Sequence, residues 1–120
     1  MAVPDMRYIF DSERPLTSVD HLLKDDLASE AERSELDFVH FFEYARLVDK
    51  RAECDIELHA QQLIQTGYSI HFHTFVSHTF LEMLRYAQHH LRLPFEIRAH
   101  ADTPPRGVEF LFILSKTNER

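Results

Sequence analysis

A chain of 120 residues, 44% hydrophobic and 12% aromatic, can build one domain with a modest core and is too short for two. Its net charge of −7 weighs against a nucleic-acid backbone as partner, which calls for a concentrated Lys/Arg surface, and places the acids on solvated helix faces. The single cysteine, Cys54, excludes an intrachain disulfide and a thiolate zinc cluster and fits a reducing cytoplasm.

In chain order, "MAVPDMRYIF" lacks the basic flank and long apolar stretch of a secretion signal, and the longest apolar run, "FLFIL", is too short for a membrane span. "RPLTSVDHLLKDDLAS" predicts an amphipathic helix, with Thr17 or Ser18 as N-cap and Val19, Leu22, Leu23 and Leu27 at helical spacing. "SEAERSE" has no apolar rhythm and reads as a linker or a solvated helical turn. In "DFVHFFEYARLVD" Asp37, His40, Glu43, Arg46 and Asp49 recur every third residue. Such a repeat drifts around a helix, so its apolar surface needs neighbours on two sides, in the core or in an oligomer.

"CDIELHAQQLIQTG" predicts a third helix that ends at Gly67. The alternation of "YSIHFHTF" predicts a short extended segment with His71 and His73 on one side. Ser77 caps a fourth helix along Phe80, Leu84, Ala87 and Leu91, and Pro94 stops it. "FEIRAHAD" and "VEFLFILSK" are strands joined through "TPPRG". The expected fold class is therefore α+β: a helical cap of about three helices, then a helix and a C-terminal antiparallel strand pair, all in a single domain.

Two blocks, "VPDMRYIFDSERPLTSVDHLL" and "YSIHFHTFVSHTFLEMLRYAQHHLRLPFEIRAHADTPPRGVEFLFILSK", resemble the C-terminal half of class I, type 11-like S-adenosylmethionine-dependent methyltransferases. The resemblance implies that residues 1–15 form the loop after the fifth strand of a Rossmann-like sheet and that residues 16–67 form a helical cap over the substrate side. Residues 68–120 then close the unit with an extended segment, a helix and strands six and seven. The family binds its cofactor in a glycine-rich turn after the first strand. Only Gly67 and Gly107 occur here, neither in such a turn, so the expected chain holds the substrate-side portion and no catalysis of its own, with S-adenosylmethionine not bound by this chain alone. A further departure lies at Val76, where the family often carries a threonine cap, and at His78, which replaces an acidic first-turn residue.

By the same resemblance Asp5, Arg7, Tyr8, Asp11, Arg14 and His21 are the substrate-binding set beyond strand five, and His71 and His73 the catalytic pair. From the residues alone, Asp5 and Asp11 read as acid and base or as positioning groups; Arg7 and Arg14 suit a substrate carboxylate or phosphate, or pair with those aspartates. His71 and His73 read as a strand-to-helix junction, a general base or substrate contact, or two ligands of a metal completed by His21, His78 or an acid. The sequence shows neither a third ligand nor second-shell support, so no metal is expected. Cys54 and His59 lack an orienting acid and an oxyanion hole for nucleophilic catalysis, and His89 and His90 read as helix-terminal residues. Partners expected are a small or sugar-linked methyl acceptor, a chain supplying the missing half, or a second copy of this chain. The competing functions are a self-associating or partner-binding module and a small histidine-based metal-binding protein.

Overall fold

The computed structural model describes residues 1–118; the last two residues of the expected unit lie outside the described residues. The elements run β1 (Ala2–Pro4), α1 (Val19–Leu27), α2 (Glu30–Leu47), α3 (Ile56–Gln65), α4 (Ser77–His89), β2 (Phe95–Ala101) and β3 (Glu109–Lys116). This is an α+β fold with its helices ahead of the strand pair, as the sequence predicts, plus one strand within the stretch expected to be loop.

That strand sets the topology. β3 lies between β1 and β2 and is antiparallel to both, so β1 and β2 run in the same direction on its two sides. β3 alternates, with Phe110 and Phe112 buried and Leu111 and Ile113 about half exposed. Its inner face packs against Phe80 and Leu84 of α4, joined by Val3, Phe75, Phe95, Ile97 and Leu114. The pairing of β2 with β3 shifts register between Ile97 and Ala99.

A separate apolar cluster joins α2 to α3 through Phe41, Ala45, Ile56 and Ala60, with Phe38, Phe42, Leu63 and Ile70 at its margin. The three-residue repeat of α2 thus finds its neighbour in α3. Gly67, at φ +68°, ends this hairpin in the left-handed conformation that favours glycine.

One open reading is resolved and one helix start differs from expectation. Of the two readings open for "SEAERSE", the solvated helical one is seen: it is the cap and first turns of α2, because Ser29 accepts the Glu32 N–H while the Glu32 carboxylate accepts from Ser29, a reciprocal cap that nucleates a helix without apolar residues. Ser77 is not the cap of α4 but its first residue; Val76 precedes the helix and donates its N–H to Thr79 Oγ1 at 3.1 Å. Ser77 instead donates its hydroxyl to Asp102 at 3.0 Å. Among the described residues no helix is long and apolar enough to cross a membrane.

Candidate functional site

In sheets with parallel strands, binding sites gather beyond the strands' carboxyl ends. Here both parallel strands end on one polar network. Asp5 follows β1 and is fully buried; it accepts two hydrogen bonds from the Arg7 guanidinium, at 3.0 and 2.7 Å, and a third from Thr103 Oγ1 at 2.7 Å. Thr103 and Asp102 follow β2, and Asp102 reaches Arg7 at 3.4 Å. The Arg7 bonds hold the Asp5 carboxyl below its ordinary range against the opposing effect of burial, and in turn push the guanidinium further towards its charged form. Arg7 is half exposed and lies 4.9 Å above the exposed Tyr8 ring.

A second node lies at the turn that follows. Arg14, whose side chain is 1% exposed, donates to Asp11 at 2.9 Å, to Glu43 of α2 at 2.8 Å and to the His71 carbonyl. The buried Asp11 pairs with the His71 ring at 2.7 Å, and Phe10 stacks on that ring with centroids 5.4 Å apart. Of the two readings open for the arginines, pairing with the neighbouring aspartates is the one seen, and Arg14 has no free face for a substrate.

The chain bends at Phe72 and His73 instead of running straight. The bend is held by Thr74, whose N–H bonds to Thr17 Oγ1 at 2.8 Å and whose hydroxyl donates to the Pro15 carbonyl at 2.6 Å. The expected common side of the two histidines is therefore corrected in one respect: their rings engage different carboxylates, His71 that of Asp11 and His73 that of Asp25. Both still border a cleft of about 130 Å³ beside Asp11, Met6 and Phe75.

Asp25 is the centre of a third cluster. Its Oδ2 lies 2.8 Å from His73 Nε2, 3.0 Å from His21 Nε2 and 3.1 Å from His40 Nε2, and the last two nitrogens are 3.4 Å apart. All four ligand atoms fall within 4.8 Å of one another. His21 and Asp25 stand one turn apart on α1, His40 comes from α2, and His73 from the bend. His40 is 6% exposed in its side chain and stacks on Phe72, with centroids 5.1 Å apart and ring planes 6° apart. Burial, opposed by the Asp25 bond, lowers the pKa of the His40 imidazole. Burial also works against the Asp25 carboxylate, yet the bonds from His73 and His40 prevail and hold its pKa low. Both shifts, at His40 and at Asp25, favour the forms in which an imidazole and a carboxylate bind metals. The expectation of no metal thus meets a group of residues that could hold one.

The substrate-side set predicted from sequence is dispersed over these three places. Asp5, Arg7 and Tyr8 sit at the strand ends, Asp11, Arg14 and His71 at the buried turn, and His21 and His73 in the Asp25 cluster. Asp25 and His40 were absent from that set. The spacing of His21 and Asp25, i and i+4 on one helix, was a visible signal; His40 carried none beyond its place in the three-residue repeat. His59 pairs with Asp49 at 2.7 Å rather than with the exposed Cys54, His78 meets Glu82 on the surface, and His90 stacks on Tyr86. A larger groove of about 380 Å³ between Val19 and α4 is lined by no buried residue, and we place no chemistry there. No protein-family model, curated protein or solved structure matches this chain.

Proposed function

We propose that this chain is the substrate-side portion of a methyl-transfer domain of the S-adenosylmethionine-dependent kind, completed by strands that carry the cofactor turn. The observation that carries the reading is the sheet: β1 and β2 run parallel, α4 lies on the connection between them, and β3 is inserted antiparallel. Mixed sheets are common among large sheets, doubly wound folds included, and here the antiparallel strand is the inner one, β3. Among the described residues β1 pairs with no second strand, although Asp5 just past its end bridges Phe75, and the outer face of β3 leaves Leu111 and Ile113 open, where such sheets carry helices on both faces. Asp5, Arg7 and Asp102 then stand at the carboxyl ends where an acceptor binds, with a small or sugar-linked acceptor as the class implied by the sequence resemblance. The chain alone transfers no methyl group in this reading.

Joining the cofactor-binding half of a type 11-like methyltransferase ahead of Met1 tests it. The expected chimera binds S-adenosylmethionine by calorimetry, and hydrogen exchange slows at Ala2, whose N–H faces away from β3, as the free edge of β1 becomes paired. A chimera that binds the cofactor but leaves that amide as fast as in the separate chain overturns the reading, as does methyl transfer by the chain alone. A self-associating module is the competing reading, favoured by the same open edge; a dimer of the separate chain in which the Ala2 amide is protected, together with a chimera in which it is not, would select it.

A further inference from the structure

The Asp25 cluster is over-subscribed as a hydrogen-bonded group. A carboxylate oxygen offers two lone pairs, and three imidazole nitrogens converge on Oδ2. If all three donate, one N–H is surplus and the N–H groups of His21 and His40 crowd each other at 3.4 Å. If one of them does not, its lone pair faces the carboxylate. A cation at the centre removes both conflicts, because every nitrogen and the carboxylate then direct a lone pair at positive charge.

The spacing agrees. A tetrahedral zinc with bonds of about 2.0–2.1 Å requires donor atoms about 3.3–3.4 Å apart. Four of the six donor separations here run from 2.8 to 3.4 Å, so those donors need move by roughly half an ångström or less. Three imidazoles with one carboxylate suit zinc and its neighbours in the first transition row, whereas calcium and magnesium take mainly oxygen.

From this geometry we infer that His21, Asp25, His40 and His73 form a closed four-coordinate site for a divalent ion of the zinc type, which clamps α1 to α2 and to the 70–76 segment. The clamp has a task to perform: α1 buries none of its residues fully, and Leu27 at its end is 80% exposed. Four protein ligands leave no open position, the pattern of structural rather than catalytic zinc. The inference stands on the cluster alone and does not depend on the methyl-transfer reading.

The test uses the full chain, stripped of metal with a chelator, then titrated with Zn²⁺ by calorimetry and with Co²⁺ by visible absorption. One ion per chain, the intense cobalt spectrum of tetrahedral coordination and slower hydrogen exchange across α1 on metal addition are expected. His73→Ala should weaken binding by more than about 100-fold, beyond the loss typical of a second-shell change. His21→Ala, at a partly exposed position where folding is not at risk, should also weaken it, while the surface control His78→Ala leaves affinity unchanged. Absence of binding by the wild-type chain, a six-coordinate cobalt spectrum, or equal affinity in His21→Ala and the wild type each overturns the site.

Discussion

Replacing Asp11 with asparagine isolates the buried Arg14 node. The wild-type carboxylate is fully buried and accepts from Arg14 at 2.9 Å and from His71 at 2.7 Å. Asparagine keeps the shape but offers one acceptor oxygen, so its amide N–H₂ must face either the guanidinium or the ring. Breaking a buried ion pair costs about 3–5 kcal/mol, and a single hydrogen bond to a charged group contributes about 1.5–3 kcal/mol. Arg14 is shielded from solvent, so screening removes little, but Glu43 and the His71 carbonyl still hold the cation. The expected loss is therefore near the lower bound, about 3 kcal/mol, or about 10–15 °C in Tm for a domain of this size. Urea unfolding and calorimetry measure it, and Glu13→Gln is the control: its pair with Lys50 is exposed on both sides, so its change should stay within about 0.5 kcal/mol. A loss below about 1 kcal/mol for Asp11→Asn, the level of an ordinary surface substitution, would refute the claim that this node holds the loop, the cap and the bend together.

Acid unfolding should report on Asp5. Its folded pKa lies below the ordinary 3.8, so the unfolded chain takes up the proton first; the stability it contributes is full above that value and disappears as pH falls through the folded pKa. Urea midpoints measured from about pH 5 to pH 2 should therefore decline, and the decline should be shallower in Asp5→Asn. Phe112→Ala, at a site 1% exposed against Phe80 and Phe110, should cost about 3–5 kcal/mol in urea unfolding, while Ile113→Ala on the opposite face changes the monomer by about 0.5 kcal/mol or less. Gly67→Ala meets no neighbouring atom but must hold φ at +68°, so a loss of about 1 kcal/mol in thermal unfolding is expected; no loss would mean that the helix end rearranges.

Local chemistry made most of the elements readable. Ser18 before a Leu-rich helical spacing marks α1, Gly67 ends α3, and the alternation of Phe110, Phe112 and Leu114 marks β3. What escaped depends on partners far along the chain. β1 is three residues long and contains Pro4; it is a strand only because Glu109, Phe110 and Leu111 pair with it. The period of two around His71 and His73 is real in sequence, yet Thr17 and Pro15 bend the backbone there through Thr74, which no window of neighbouring residues reveals. The Asp25 cluster draws on α1, α2 and the bend, so only its α1 half, His21 with Asp25, leaves a trace at helical spacing.

The placement of these polar groups has a mechanical consequence. The cluster between α2 and α3 and the cluster between α4 and the sheet share no residue. Much of what crosses between them is polar and passes through residues 71–74: the His71 ring on Asp11, its carbonyl on Arg14, His73 on Asp25, and Thr74 on Thr17 and Pro15; ring contacts of Phe72 with Phe41 and of Phe10 with Tyr44 run beside it. Arg14 carries a permanent charge into this seam and reaches α2 through Glu43, while His40 reaches the same helix from the Asp25 side. Displacing the α2–α3 hairpin would thus break the Arg14 node and the histidine cluster while leaving both apolar clusters intact. Part of the free energy that holds the α2–α3 hairpin to the rest of the fold therefore resides in hydrogen bonds, ion pairs and the inferred metal bonds, which depend on pH, salt and chelators in ways that a shared hydrophobic core would not.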